Sequence, residues 1–268
     1  MSVVWKRIGK GGFSWKRRQM IGKGGYGRVY LGTSSDVSPS TFAVKSAEVS
    51  RSQSLWEEIQ VLRQLQDCSN IITCFGIDFT VERGKIISNI LLEYARAGTL
   101  ADRLGRFNSG RGLEEYEVKK YAKSILLGLR DVHNRGFIHC DIKPSNVLLV
   151  AHADTGKVTA KIADFGFALH QSQYKTTNGR LRGTPLYIAP EVVLDDKYGP
   201  EADIWSFGCT VFEIITGKPL WELDEDIYVL CRISIESPDL QNSKLSRLAE
   251  DFLRKCLVRD HRARWTAA

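Results

Sequence analysis

The string Gly22-Lys-Gly-Gly-Tyr-Gly27 has the spacing G-x-G-x-x-G. Glycine lets a backbone come close to phosphate oxygens and offer them N–H groups with no Cβ in the way. The string alone is a weak signal, because ordinary Gly-rich turns share it, so its surroundings decide. A dinucleotide fold needs a helix directly after the glycines. Here Val29 and Tyr30 favour a strand, and Gly32 stops any helix. A Walker A loop needs Gly-Lys-Ser/Thr after its spacer, and that is absent. What remains is a glycine hairpin folded over phosphates. A near-copy, Gly9-Lys-Gly-Gly-Phe-Ser14, lacks the third glycine and the following valine strand, and is expected to be unstructured lead-in. The two strings form a local partial duplication with no further recurrence, so they do not mark a solenoid.

Further along come Phe42-Ala-Val-Lys45, His139-Cys-Asp-Ile-Lys-Pro-Ser-Asn146, Asp164-Phe-Gly166 and Ala189-Pro-Glu191. In kind, order and spacing they resemble the marks of the eukaryotic protein kinases. The resemblance covers residues 15–268. It implies an α+β, two-lobed fold with a β-rich N-lobe over 15–94, a hinge over 93–98 and a helical C-lobe over 99–268, preceded by an irregular lead-in over 1–14. It also implies ATP and Mg²⁺ as cofactors and a protein as substrate.

The resemblance gives each residue a role, and phosphoryl transfer, which depends on positioning and charge neutralisation, gives each role a reason. Lys45 would hold the α- and β-phosphates, and Glu58 would pair with Lys45. Glu57 is the adjacent alternative, but Ser54-Leu-Trp-Glu57 has the pattern of a capping box, which gives Glu57 a structural job. Asp164 and Asn146 would hold the metal ions, since oxygen donors together with phosphates suit Mg²⁺. Asp141 would accept or orient the substrate hydroxyl proton, and Lys143 would sit near the γ-phosphate. Gly22, Lys23, Gly24, Gly25, Tyr26, Gly27 and Arg28 would cover the phosphates. At the hinge, Leu92 takes the gatekeeper position, and backbone groups of Glu93 and Ala95 would bond the adenine edge. Ile21, Val29, Ala43 and Leu148 would sandwich its faces, although each also reads as ordinary core. Thr184 in Gly183-Thr-Pro-Leu-Tyr187 would bond Asp141 and Lys143, which fits the serine/threonine branch. Asp203 would brace the catalytic loop, and Glu191 would pair with Arg264.

Two departures stand out. Cys140 occupies the position of the arginine that, in the family, pairs with a phosphorylated activation loop. Activity is therefore expected to depend less on phosphorylation of Ser172, Tyr174, Thr176 or Thr177, with Lys175, Arg180 and Arg182 as the nearby cations. Relatives also continue a final helix past Arg264-Trp-Thr-Ala267, so the last helix is expected to be cut short. Trp15-Lys-Arg, Gly208-Cys-Thr-Val-Phe-Glu213, Gly217-Lys-Pro-Leu-Trp221 and Arg264-Trp-Thr-Ala267 are most similar to mitogen-activated protein kinase kinase kinases, and His-Cys-Asp to their plant-type group. That implies a kinase kinase as substrate.

These residues need elements to position them. Arg28–Leu31 and Thr41–Lys45 read as strands joined by a polar loop, with further strand candidates at 71–79 and 85–93. Leu55, Ile59, Leu62 and Leu65 recur at helical spacing, as do Val118, Tyr121, Ile125, Leu129 and Val132 up to Gly136. A third helix is expected over 202–216, stopped by Gly217.

Composition excludes the main rivals. The chain has 268 residues, 43% of them hydrophobic and 26% charged, enough for a large core and unlike a disordered chain. No apolar run approaches the ~20 residues needed to cross a bilayer. Six scattered cysteines with no CxxC pair suit a cytosolic or nuclear protein. The net charge of +7 is dispersed, not gathered into the basic, aromatic-studded face of a nucleic-acid binder. A catalytically weak, pseudokinase-like scaffold would lose Lys45, Asp141, Asn146 or Asp164, and all four are present.

Overall fold

The computed structural model describes residues 6–8, 14–24, 27–35, 40–105, 111–152, 155–173, 181–221, 225–242 and 244–268. Gly25 and Tyr26 of the glycine loop, residues 9–13 of its near-copy, and Tyr174, Lys175, Thr176, Thr177 and Arg180 lie outside the described residues.

The N-lobe is a six-stranded sheet built from Lys6–Ile8 (β1), Lys16–Gly24 (β2), Gly27–Thr33 (β3), Thr41–Glu48 (β4), Cys74–Glu82 (β5) and Lys85–Leu92 (β6), in the order β1-β5-β6-β4-β3-β2. β2 and β3 form the expected glycine hairpin, closing with Gly24 opposite Gly27. Gly27 has φ 151°, and a Cβ there would lie 2.6 Å from the Ser46 carbonyl oxygen, so only glycine fits. The β5–β6 hairpin turns through Arg83 and Gly84, both at positive φ, as a two-residue turn requires. One expectation needs correcting: the lead-in is not wholly irregular, because β1 runs parallel to β5 at Gly76–Asp78 and takes hydrogen bonds that this sheet edge would otherwise leave open.

Side-chain alternation along β4 aims Lys45. Phe42 and Val44 point to one face, where with Leu91 they form a small core under Trp15 and Phe75. Ala43 and Lys45 therefore fall on the opposite face, the one that carries the helix Gln53–Gln64 (α1). This helix buries Leu55, Ile59 and Leu62, the expected stripe. The capping box is not formed. A 3-10 turn at Val49–Arg51 runs straight into α1, Ser52 takes the cap position, and its Oγ bonds back to the Val49 carbonyl at 2.9 Å. Ser54 already lies inside the helix, and Glu57 accepts from Gln53 Nε2 at 3.2 Å.

The C-lobe holds Leu100–Gly105 (α2), Glu115–Asn134 (α3), Pro190–Asp195 (α4), Pro200–Thr216 (α5), Asp226–Ile235 (α6) and Arg247–Cys256 (α7). Two short antiparallel strand pairs complete it: Phe137–Ile138 (β7) with Leu169–His170 (β10), and Val147–Ala151 (β8) with Val158–Ile162 (β9). The predicted face of α3 is buried throughout, and Gly136 ends it at φ 74°. α5 is buried on nearly all sides and ends at Gly217, φ 77°. It is the post around which the lobe packs, so an α5 substitution such as Phe207→Ala should cost about 3–5 kcal/mol. No helix among the described residues is long and apolar enough to cross a membrane.

Candidate active site

Lys45 meets two carboxylates. Its Nζ lies 2.6 Å from Glu58 Oε2 and 2.9 Å from Asp164 Oδ1. Of the two candidate glutamates, Glu58 faces inward at 1% exposure, while Glu57 stays on the outer side with Gln53. Burial works against the Lys45 ammonium, but Glu58 and Asp164 outweigh it and hold its pKa above the ordinary lysine value. Burial pushes the Glu58 carboxyl up against the pull of Lys45. For Asp164, burial is overcome by the Lys45 charge and hydrogen bond, and its pKa is lowered.

The β8–β9 hairpin brings Asn146 and Asp164 together. Val147 pairs with Ile162, and the Ala163 N–H donates to the Asn146 carbonyl at 2.9 Å, so the residues flanking the hairpin share one end of it. Asp164 itself has φ 63°, a left-handed value that a non-glycine residue holds only under constraint.

The catalytic-loop candidates form a closed cluster. Asn146 Nδ2 donates to both the carbonyl and Oδ2 of Asp141, each at 2.8 Å. Lys143 Nζ lies 2.8 Å from Asp141 Oδ2 and donates to Thr184 Oγ1 at 2.6 Å. The Thr184 hydroxyl donates to Asp141 Oδ1 at 2.6 Å. Thr184 thus makes both contacts expected of it. Gly183 comes so near the loop that a Cβ would lie 2.5 Å from the Cys140 carbonyl oxygen.

Asp203, wholly buried in the first turn of α5, holds this loop from beneath. Its carboxylate accepts from the backbone N–H of His139 at 2.8 Å and of Cys140 at 2.9 Å. Cys140 adopts φ 66°, and burial pushes its thiol well above the ordinary value, with Asp203 adding to the shift. That combination leaves little thiolate for redox chemistry. Glu191 and Arg264 form the expected buried pair, with N–O distances of 2.6 and 2.9 Å. The Arg264 guanidinium also lies 5.1 Å from the Trp205 ring centroid.

The adenine-site candidates divide by exposure. Ala43 and Leu92 are buried and paired across β4 and β6, Val29 and Leu148 are half-buried, and Ile21 is 41% exposed. Lys23 and Arg28 are exposed on the glycine hairpin. At the hinge, the Glu93 N–H donates to Thr73 O at 2.8 Å, so Glu93 has only its carbonyl to offer a ligand. The backbone N–H of Ala95 makes no hydrogen bond among the described residues.

Sequence reasoning missed several supports. Lys161 Nζ lies 2.8 Å from Glu93 Oε2, which also accepts the Thr73 N–H at 3.2 Å, tying the hinge to β9. His139 Nδ1 accepts the Asp141 N–H at 3.2 Å and its Nε2 reaches the Ala163 carbonyl at 3.1 Å. His133 Nε2 meets Asp203 at 2.8 Å. His139 stood inside a quoted motif and could have been assigned. Lys161 and His133 carry no local signal, because their partners are 68 and 70 residues away.

Comparison with known proteins decides what the cleft belongs to. The model of the protein kinase domain matches residues 15–268. The chain belongs to the protein kinase family. The kinase is 43% identical over 264 residues to mitogen-activated protein kinase kinase kinase 20 of Arabidopsis thaliana, a match covering 94% of this chain and 75% of that protein. Kinases 18 and 17 of the same name series and organism are 39% and 38% identical, covering 95% and 94% of this chain and 75% and 67% of theirs. The kinase is an ATP-dependent serine/threonine protein kinase that acts on proteins in signalling, and the Lys45–Glu58 pair fits its ATP site.

Proposed function

We propose that this kinase transfers the γ-phosphate of ATP to serine or threonine hydroxyls of a mitogen-activated protein kinase kinase. Lys45 holds the α- and β-phosphate oxygens, and Glu58 keeps its ammonium aimed. The glycine hairpin from Gly22 to Arg28 covers the phosphates with backbone N–H groups. The Glu93 carbonyl and the Ala95 N–H bond the adenine edge, while Ile21, Val29, Ala43 and Leu148 enclose its faces. Asp141 receives or orients the hydroxyl proton, Lys143 neutralises charge at the γ-phosphate, and Thr184 fixes both in one geometry.

The residues present fit Mg²⁺. With Nδ2 of Asn146 committed to Asp141, its Oδ1 is left to act as a ligand. Together with the Asp164 carboxylate it would give a hard, all-oxygen pair of the kind that suits Mg²⁺. When bound, the metal would supply positive charge that offsets the negative charge of the phosphates. Among the described residues no group of three or more His, Cys, Asp or Glu could hold a metal by itself, in keeping with a site that needs the nucleotide.

The observation that carries this reading is the convergence of Lys45, Glu58 and Asp164 at 2.6–2.9 Å, with Asn146 at the same end of the β8–β9 hairpin as Asp164. Six unpaired cysteines support a reducing compartment, cytosol or nucleus, which a fluorescent fusion would report. The deciding assay is transfer from labelled ATP to a folded, catalytically inactive plant kinase kinase. Incorporation that needs Mg²⁺ and vanishes in Asp164→Asn supports the proposal. Incorporation unchanged in Asp164→Asn sinks it, as does a scaffold-like protein that binds ATP but transfers nothing.

A further inference from the structure

Thr184 joins Asp141 to Lys143, so whatever fixes its backbone also fixes the place for a substrate hydroxyl. Leu181, Arg182 and Gly183 lead into it outside any helix or strand. Backbone N–H groups on such a stretch have no ladder to join and must find partners elsewhere. The Arg182 N–H finds a side chain: it donates to the Tyr198 hydroxyl at 2.8 Å. Tyr198 is 4% exposed and packs in the C-lobe core. Burial pushes its phenol up to about 12, so near neutrality the oxygen is an uncharged acceptor.

The acceptor is itself held in place. Tyr198 lies in the short link between α4 and α5, where Asp196 turns the chain at φ 50° and the Lys197 N–H donates to the Glu191 carbonyl at 3.2 Å. Glu191 in turn is the buried partner of Arg264. The hydroxyl therefore belongs to the part of the lobe anchored on α5. On the donor side, Arg182 Nη1 reaches the Phe167 carbonyl at 3.5 Å, a long contact between the two ends of the segment from Asp164 to Glu191. Gly183 then passes close against the Cys140 carbonyl. Cys140 brings no charge to this junction, because burial keeps its thiol protonated.

We infer that Tyr198 is a positioning residue for phosphoryl transfer: its hydroxyl holds the backbone two residues before Thr184, and so sets the slot that Thr184, Asp141 and Lys143 form. It acts through Thr184 and not on the substrate. This rests on the reading of those three residues as the hydroxyl slot. It adds that the slot is aligned from the α4–α5 link, through one neutral hydrogen bond at a place where Cys140 offers no cation. Removing the acceptor would leave the Arg182 N–H without its partner and let the chain ahead of Thr184 move.

Tyr198→Phe tests this in the full chain, since it removes one oxygen and leaves the ring in the core. In steady-state transfer from ATP to a generic basic protein, it should lower kcat about tenfold and leave the KM for ATP unchanged, because Lys45, Glu58 and Asp164 do not depend on it. A double-mutant cycle separates positioning from general support. In a Thr184→Ala background, where the slot contact is already gone, adding Tyr198→Phe should lower kcat by less than about twofold. Hydrogen exchange at the Arg182 amide should be slow in the wild-type protein and about tenfold faster or more in Tyr198→Phe. An unchanged kcat, a rise in the KM for ATP as large as the fall in kcat, or a full tenfold loss repeated in the Thr184→Ala background overturns the inference. So does an Arg182 amide that exchanges freely in the wild-type protein, a result that stands whether or not the variant folds. If Asp141→Asn and Thr184→Ala both keep the wild-type kcat, the slot reading fails and takes this inference with it. If they lower kcat and Tyr198→Phe does not, the role of Tyr198 alone fails.

Discussion

The two halves of the cleft are held by different physics. On the sheet side, Lys45, Glu58 and Asp164 come from three elements, and Lys45 and Asp164 are 119 residues apart. Their arrangement rests on side-chain ion pairs, so it survives only while α1 stays seated on the sheet. On the helical side, Asp141, Lys143 and Asn146 come from one short loop, closed by Thr184 and gripped through its backbone by the buried Asp203. That half is anchored to α5, the most buried helix of the lobe. The difference teaches which half can adjust: moving α1 would break the Lys45–Glu58 bond and leave the catalytic loop as it is.

Several substitutions would break or sharpen this contrast. Asp141→Asn should lower kcat by about 10²–10⁴-fold while nucleotide affinity, read by calorimetry, stays near wild type. If affinity fell as far as rate, the two halves would not be independent. Arg264→Ala leaves Glu191 buried and uncompensated and should cost about 3–5 kcal/mol in denaturant unfolding; an unchanged midpoint would contradict the anchoring of the helical half. Glu58→Gln removes a charge-assisted hydrogen bond of about 1.5–3 kcal/mol and should lower kcat/KM by about 10–100-fold with little loss of stability. Equal damage to stability would make α1 a fixed part of the fold.

A smaller effect should appear with pH. The folded-state pKa of Asp164 lies below its ordinary 3.8, so its pairing with Lys45 stabilises the fold above that value and is lost as pH falls through the lowered one. The stability gap between wild type and Asp164→Asn should therefore hold steady from about pH 7 to 5 and close in stronger acid. A gap that closes near neutrality would exclude the ion pair as its source. Last, Thr176→Ala/Thr177→Ala should leave activity near wild type, because Cys140 offers no cation to a phosphorylated loop. Abolished activity would show that another group performs the arginine's task.

Much of the site was legible because its pieces are short and contiguous. The His139–Asn146 loop, the Asp164–Gly166 turn and the glycine hairpin each contain their own spacing rule. Helical stripes such as Leu55–Leu62 and Val118–Val132 were equally plain, since one buried face imposes the period. The errors were local competitions that spacing cannot referee. Ser54 and Glu57 match a capping box, yet the 3-10 turn at Val49–Arg51 starts the helix earlier and puts Ser54 inside it. The lead-in lacked any strand pattern, and β1 forms because β5 presents an open edge.

From the sequence alone followed the chemistry: which side chains could meet a triphosphate, on which strands, loops and helices they sit, and that the family is one of phosphoryl transfer. The tertiary structure alone decided that Glu93 is latched by Lys161, and that the Glu93 N–H is already taken by Thr73. The physical reason is range. Backbone conformation and periodicity are fixed by neighbours a few residues away, whereas charge pairing and burial depend on residues brought together only when the lobes fold.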